Sequence, residues 1–335
     1  VVIHKEEKVY VPEMIFGHLL TSGNYDQKDK LVGGKNGFGA KLANIYSKEF
    51  SIEITDTKRK KKYFQQFTEN MYKKEEPVIT DLEDKTDGYI KTTFLPDYKK
   101  FGMKKLSTDM YQVMKRRIYD MAATTSKKVK IYFNDEEITG VNNFRNYIDL
   151  FYKDSSKKIF YKEFNERWSI GLVYDPDGQF EHMTFVNKIN TFKGGTHLNY
   201  ITNQIVDKVT QKIVAKDKKN NIKVKPSQIK DNIAIFINSS LEDPDFSSQS
   251  KETLTTKSSK FKIKCDLDSK FIDEFCKSTG IVNDIFEISK IRHENELGKS
   301  DGKKKTSINN IAKLQDASFA GSDKSSQCTL IITEG

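Results

Sequence analysis

Gly33-Gly34-Lys35-Asn36-Gly37-Phe38-Gly39-Ala40-Lys41 runs without a break into Leu42-Ala43-Asn44-Ile45-Tyr46. Four glycines within seven positions let the backbone turn its N–H groups toward one point, because no Cβ blocks positive φ. After Ala40 the apolar positions Leu42, Ile45 and Tyr46 predict the first turns of an amphipathic helix. N–H groups stacked at a helix N-terminus, flanked by Lys35 and Lys41, form an anion cradle suited to a phosphate chain. A glycine-rich turn that only caps a helix would be written in the same letters, so both readings stand at this point.

Two familiar phosphate loops are excluded by spacing. A P-loop needs Lys-Ser/Thr directly after its last glycine, whereas Gly39 is followed by Ala40, Lys41 and Leu42. A dinucleotide fingerprint opening at Gly37 would need glycine or alanine where Leu42 stands.

The 335 residues are enough for two domains, and 36% hydrophobic with 31% charged residues fits a globular chain with a charged surface. No apolar run approaches the about 20 residues of a membrane span, and no signal peptide is expected. Val1 in place of Met marks the chain as a piece of something longer. Cys265, Cys276 and Cys328 form no CxxC pair, which points to reduced thiols inside a cell. The scattered His4, His18, His182, His197 and His293 offer no zinc pattern. A net charge of +10 favours a polyanionic partner.

Outward from the glycine stretch, Val11-Pro12-Glu13 opens a helix carrying Met14, Ile15, Leu19 and Leu20, which Thr21-Ser22-Gly23-Asn24-Tyr25-Asp26 stops. Strands are expected at Ser51–Thr55 and Tyr63–Phe67 around the basic turn Lys58–Lys62, and again at Gly88–Phe94. That turn is either a solvated tip or a DNA contact. Leu106–Ala123 reads as a helix with Met110, Val113, Met114, Ile118 and Met121 as its core stripe. A strand at Val129–Phe133 follows, and the first domain is expected to end near 138.

A helix is expected around Asn142–Phe151. Arg167–Tyr174 and Gln179–Val186 flank Asp175-Pro176-Asp177-Gly178, which predicts a β-hairpin, with Trp168 structural. Gly194-Gly195-Thr196-His197 precedes a helix with Ile201, Ile205, Val209 and Ile213. An anion site and tight strand-to-helix packing account equally for its glycines. Lys216, Lys218 and Lys219 belong to a lysine-rich loop, interrupted by Asp217, whose cations are either solvated or free to neutralise phosphates. A strand at Ile233–Asn238 leads to the polar loop Asp243–Lys251. Helices follow at Ser269–Cys276 and Val282–Ile291, then a polar linker at Arg292–Thr306. Cys328–Gly335 reads as a buried strand.

Four elements in this order, TSGNYD at 21–26, GGKNGFGAKL at 33–42, the Gln249-Ser250-Lys251 loop and the terminal TLIITEG, resemble eukaryotic type IIA DNA topoisomerase. The resemblance covers nearly the whole chain. It implies an α+β fold: a GHKL (Bergerat-type) ATPase α/β sandwich truncated at its N-terminus over 1–138, and a ribosomal-S5-like transducer over 139–278. A linker over 279–327 and the start of a TOPRIM domain over 328–335 follow.

The resemblance further implies ATP with Mg2+, double-stranded DNA as partner, a homodimer and a nuclear location. Ser22, Gly23 and Asn24 would contact nucleotide, although Gly23 replaces a more usual serine. So would Gly34, Lys35, Asn36, Gly37, Phe38, Gly39, Ala40 and Lys41. Gln249, Ser250 and Lys251 would enter the nucleotide site from the transducer, Lys251 meeting the γ-phosphate and serine standing for the family's threonine. Lys216, Lys218 and Lys219 would meet DNA. Glu334 matches a TOPRIM glutamate that assists DNA cleavage and binds metal. His197 is read as structural. The family's general-base glutamate and Mg2+-holding asparagine would lie before Val1, and its DNA-cleaving tyrosine far beyond Gly335. Residues 1–335 alone are therefore expected neither to hydrolyse ATP nor to relax DNA; multiple turnovers of phosphate release would refute this. Two alternatives stand: a basic nucleic-acid clamp that ignores nucleotide, and a GHKL ATPase of the chaperone or mismatch-repair class.

Overall fold

The computed structural model describes residues 1–23, 30–34, 36–83, 87–153, 156–217, 222–300 (main chain only over 294–300), 317, 319 and 323–332. Proline in the first turn, where its missing N–H costs nothing, starts α1 (Val11–Gly17). The glycine stretch starts α2 (Phe38–Ile45). Five strands follow: β1 (Ser47–Asp56), β2 (Lys61–Thr68), β3 (Lys73–Lys74), β4 (Val78–Asp81) and β5 (Ile90–Pro96). They form one sheet in the order β3-β2-β1-β5, with β4 also paired to β2. Antiparallel register sets Phe50 opposite Phe67 and Ile54 opposite Tyr63. The face with Phe50, Ile52 and Phe67 packs Phe16 of α1 and Ala43 of α2, a small core that fixes both helices on the sheet.

Ser107 caps α3 (Thr108–Thr124), its Oγ accepting from the Met110 N–H at 3.2 Å. A short ribbon, β6 (Tyr132–Phe133) and β7 (Glu136–Glu137), leads to α4 (Phe144–Asp149). The second sheet comprises β8 (Ile159–Asn165), β9 (Trp168–Tyr174), β10 (Glu181–Val186), β11 (Ile189–Asn190) and β12 (Ile233–Ser239). Between β11 and β12 come α5 (Thr196–Lys216) and α6 (Pro226–Lys230); α7 (Ser269–Thr279) and α8 (Ile281–Ser300) follow the sheet.

The strand order is β11-β10-β12-β9-β8. β12, buried on both faces, is its centre. Ile233, Ile235 and Ile237 enter a core with α5, α6, α7 and α8, while Ala234 and Phe236 enter another with α3 and α4.

Several sequence expectations are corrected here. β9 and β10 are not a hairpin, because β12 lies between them, antiparallel to β9 and parallel to β10. The turn after β9 is anchored instead by the Asp175 N–H donating to the Asn232 carbonyl at 2.8 Å. Met110, Val113 and Met114 are exposed rather than core. Only the C-terminal end of α3 is covered, where Ala122 and Ala123 pack against the second sheet. Asp120 is buried there too and accepts from the Tyr147 hydroxyl at 2.6 Å. α3 thus packs with the second unit, on the far side of the boundary expected near 138. The helix expected at Val282–Ile291 is α8, anchored by Ile281 and Ile285 in the second core, and its main chain stays helical to Ser300, through most of the stretch expected as a polar linker at 292–306. Leu330, Ile331 and Ile332 are exposed and in no strand, because no neighbouring strand pairs them among the described residues. No helix among the described residues is long and apolar enough to cross a membrane.

Candidate nucleotide site

The glycine stretch does two different things. Gly33 and Gly37 are required by the protein itself. A Cβ on Gly33 would stand 2.0 Å from Ile189 Cδ1, and Gly37, the N-cap of α2, has φ +65°. Gly34 and Gly39 are not: a Cβ on either would meet no protein atom within 4 Å. Packing therefore explains half of the glycines, and at the other half a side chain would meet no protein atom.

Under the Gly37 turn lies Lys41, only 1% exposed. Its Nζ is 3.2 Å from the position of a Cβ on Gly37, and Ser22 Cβ is 3.5 Å from that same point. Ser22, Gly37 and Lys41, far from obvious neighbours by sequence, thus meet. Among the described residues no carboxylate pairs with the Lys41 ammonium, and burial alone holds its pKa below the ordinary 10.5. A buried cation without a counter-ion is costly and needs an anion. The expected apolar face of α2 is corrected: Leu42 and Tyr46 are 40% exposed, whereas Lys41 and Asn44 are buried. Asn44 Nδ2 donates to the Phe16 carbonyl at 3.2 Å, which locks α2 onto α1.

Gly23 is exposed with no atom within 4 Å of an added Cβ, so the serine more usual there would fit. Asn36 and Phe38 are half-buried, and Ala40 lies on the first turn of α2. Asn24, Lys35, Lys218, Lys219 and Glu334 lie outside the described residues.

The base of the glycine stretch is seated on the second unit. Gly33 meets Ile189 of β11, and the Asp243 N–H donates to the Lys30 carbonyl at 3.2 Å. Asn187 joins the two contacts, its amide exchanging bonds of 2.7 and 2.8 Å with Leu241. Two residues beyond Asp243 begins the loop that carries Lys251. Gln249 and Ser250 are exposed on it, and Lys251 is half-buried. Burial pushes the Lys251 pKa down, and no acidic group among the described residues pairs with it. Among the described residues, Lys41 and Lys251 are therefore both cations without a carboxylate partner.

Sequence reasoning missed what holds this loop. Leu254 N–H donates to the Gly194 carbonyl at 3.1 Å, and Thr196 N–H donates to the Leu254 carbonyl at 3.1 Å. Thr196 Oγ1 donates to the Thr256 carbonyl at 2.6 Å. A Cβ on Gly195 would strike the Leu254 carbonyl oxygen at 2.4 Å, so the glycine pair exists for close packing rather than for an anion. The pair of glycines was the available signal; its partner segment was not. His197, behind this turn, is fully buried, with Nε2 3.1 Å from Thr191 Oγ1 and its pKa pushed down to about 3 by burial and by His182. It is structural.

α5 carries the turn to the lysine loop. Lys216 sits on its last turn, bound to Asn283 Oδ1 and lying 4.9 Å above the Phe286 ring. Asp217 caps the helix, and its Oδ2 accepts from the Ile222 N–H at 2.9 Å, closing the neck of the loop. No group of three His, Cys, Asp or Glu side chains among the described residues could hold a metal ion.

A family model described as DNA gyrase B matches residues 121–305. The chain is 47% identical to DNA topoisomerase 2 of Acanthamoeba polyphaga mimivirus, over 100% of its own length and 26% of that protein. It is 42% identical to DNA topoisomerase 2 of Saccharomyces cerevisiae, over 99% of its length and 24% of that protein. It therefore spans about a quarter of the length of these curated relatives. The crystal structure of the ATPase region of Saccharomyces cerevisiae topoisomerase II superposes with a TM-score of 0.79 at 42% identity, covering 86% of this chain and 74% of that one. The ATPase and transducer domains of DNA topoisomerase II from Balamuthia mandrillaris give 0.82 at 38% identity, covering 88% and 74%. With more than half of its residues inside the family model and both units matched by solved relatives, the chain belongs to the DNA gyrase B family, and within it to the ATPase and transducer region of topoisomerase II.

Proposed function

We propose that this chain is the nucleotide-binding and coupling part of an ATP-dependent type II DNA topoisomerase. The observation that carries the reading is Lys41: a buried ammonium with no carboxylate partner among the described residues, tucked beneath the Gly37 turn beside Ser22. A triphosphate supplies the missing charge, and the N–H groups of the first turn of α2, which begins at Phe38, supply donors to its oxygens. Ser22, Gly23, Asn24 and the segment from Gly34 to Lys41 are assigned to ATP, with Gln249 and Ser250 at the mouth of the second unit's loop.

Lys251 is assigned to the terminal phosphate. A half-buried ammonium there stabilises charge that develops on the phosphoryl oxygens, worth typically about 10²-fold in turnover. It also lets the second unit distinguish ATP from ADP, because only ATP has a γ-phosphate to meet it. The Mg2+ implied by the family has no cage among the described residues, so the roles assigned here are those of amides and ammonium groups. Glu334 is assigned the metal-binding and cleavage-assisting role that the family implies.

In this reading two protomers close over a DNA duplex when ATP binds, and hydrolysis lets the clamp reopen while another duplex passes through a transient break. α5, 21 residues or about 30 Å long, runs from the turn that grips the Lys251 loop to Lys216 and the lysine loop assigned to DNA. A nuclear location follows from the DNA substrate in a eukaryotic cell.

The test is ATP-dependent relaxation of supercoiled DNA by the full-length protein that carries this chain. Lys41→Met should weaken ATP-dependent relaxation about 10- to 100-fold and Lys251→Ala about 100-fold, both while leaving the protein folded. Relaxation that proceeds without ATP, or that ignores both substitutions, would refute the assignment. A salt titration separates the plain basic clamp, whose DNA binding would fall steeply with salt yet ignore nucleotide.

A further inference from the structure

Glu252 belongs to none of the four sequence elements, yet it adjoins Lys251 and has a fixed carboxylate. Its Oε1 accepts from Ser250 Oγ at 2.9 Å, and its Oε2 lies 2.5 Å from the Lys193 ammonium. Ser250 Oγ is in turn 2.8 Å from Ser248 Oγ. The main chain repeats the pattern: Lys193 N–H donates to the Glu252 carbonyl at 3.1 Å, and Lys251 N–H to the Ser248 carbonyl at 3.1 Å.

Two consequences follow. Lys251 has φ +59°, a left-handed conformation that a residue with a Cβ adopts only when its surroundings hold it there. Glu252 is the first residue of the loop bonded to the Lys193–Thr196 turn, and its carboxylate reaches back across Lys251 to Ser250. It therefore ties the free end of the turn to the fixed end. The second consequence is electrostatic. An unpaired carboxylate next to Lys251 would attract that ammonium and compete with any phosphate. Lys193 takes up the Glu252 charge, holding the carboxyl below its ordinary range, and Lys251 is left without an acidic partner among the described residues.

We propose that Glu252, paired with Lys193, is a positioning residue that fixes the Ser248–Lys251 turn and keeps the Lys251 ammonium available to the terminal phosphate of a bound nucleoside triphosphate. The proposal rests on the reading of Lys251 given above. Because the Lys193 side chain is 62% exposed and that of Glu252 25%, the pair's influence is limited to a few-fold.

The experiment measures, on the full-length protein, the affinity for a non-hydrolysable ATP analogue and for ADP, and reports their ratio. Glu252→Ala should lower the ratio about three-fold through the ATP analogue alone, with ADP affinity unchanged. Lys193→Ala should do the same, and the double variant should be no worse than either. In a Lys251→Ala background, Glu252→Ala should have no further effect, which a merely structural role would not produce. Glu252→Gln, which keeps the Ser250 bond, substitutes if the alanine variant does not fold. Three results overturn the proposal. If Glu252→Ala leaves the ratio unchanged while Lys251→Ala lowers it, positioning fails and the Lys251 reading stands. If Lys251→Ala leaves the ratio unchanged, that reading fails and takes the proposal with it. If Glu252→Ala lowers the ratio equally in both backgrounds, Glu252 does not act through Lys251.

Discussion

Replacing Lys41 by methionine should move stability and nucleotide affinity in opposite directions. Methionine keeps the unbranched stem that fills the space beneath Gly37 and removes the ammonium. That ammonium is buried with no carboxylate partner among the described residues, a state that costs about 1–3 kcal/mol for an imperfectly solvated polar group. Relief of even 1 kcal/mol would raise the melting temperature by about 2–4 °C. In the nucleotide complex the same ammonium would make a charge-assisted hydrogen bond worth about 1.5–3 kcal/mol, so its loss should weaken an ATP analogue about 10- to 100-fold. Differential scanning calorimetry without nucleotide and titration calorimetry with the analogue read the two effects separately.

The pH dependence adds a check on the sign. Burial lowers the folded-state pKa of Lys41 below the unfolded value of 10.5, so the unfolded chain binds more protons between the two. The parent's penalty is therefore complete at neutral pH and fades as pH rises toward 10.5, where parent and variant should converge. A Lys41→Met protein that melts lower than the parent, with analogue affinity within two-fold, would refute the argument: it would make Lys41 an ordinary packing residue.

Three further outcomes are expected. Gly195→Ala should destabilise the protein by about 3 kcal/mol or more, since its Cβ would collide with the Leu254 main chain at φ +136°, and hydrogen exchange should rise first at Leu254 and Thr196. Tyr147→Phe removes the donor to buried Asp120, whose pKa burial already raises, and should cost about 1–3 kcal/mol in urea unfolding; Asp120→Asn should recover part of that loss in the double variant. His197 is neutral when folded, with a pKa of about 3 against 6.5 unfolded, so the unfolded state takes up a proton first as pH falls. The stability it confers is whole above pH 6.5 and is lost toward pH 3, at a slope approaching about 1.4 kcal/mol per pH unit; His197→Gln should flatten that slope in chemical denaturation between pH 6 and pH 4.5.

What the sequence disclosed was chiefly local. The glycine stretch ends at an α2 that begins at Phe38, and the alternation around Lys58–Lys62 becomes the β1–β2 pair because turn chemistry and side-chain period agree there. Long-range pairing was illegible. Asp175-Pro176-Asp177-Gly178 carries every local mark of a hairpin turn, yet β12 enters between its strands, and only the run of buried residues in β12 hinted at a strand covered on both faces. Met110, Val113 and Met114 have helical spacing, but spacing does not say whether a second surface arrives to cover the stripe. The same limit applied to the site. Glycine at 195 was visible and Leu254, the reason for it, was not, because close approach of two main chains leaves no mark on the second one.

The two units contribute unlike things to the candidate site, and the difference bears on how binding would be transmitted. The first supplies the glycine loop, where Gly34 and Gly39 leave room for a side chain, on a sheet with a core of Phe50, Ile52 and Phe67. In the proposed reading the second supplies Lys251, from a loop bonded to the start of α5, whose Ile201, Ile205, Val209 and Ile213 are all buried in a much larger core. A ligand can shift an equilibrium only by its differential affinity for the two states. ADP would engage the glycine loop alone. In this reading ATP would add its γ-phosphate contact to Lys251, and that contact would cross from the first unit to the second. The energy of this single bond is therefore the most that nucleotide identity can contribute to moving α5 and the lysine loop at its far end, which is why the loop that aims Lys251 matters as much as Lys251 itself.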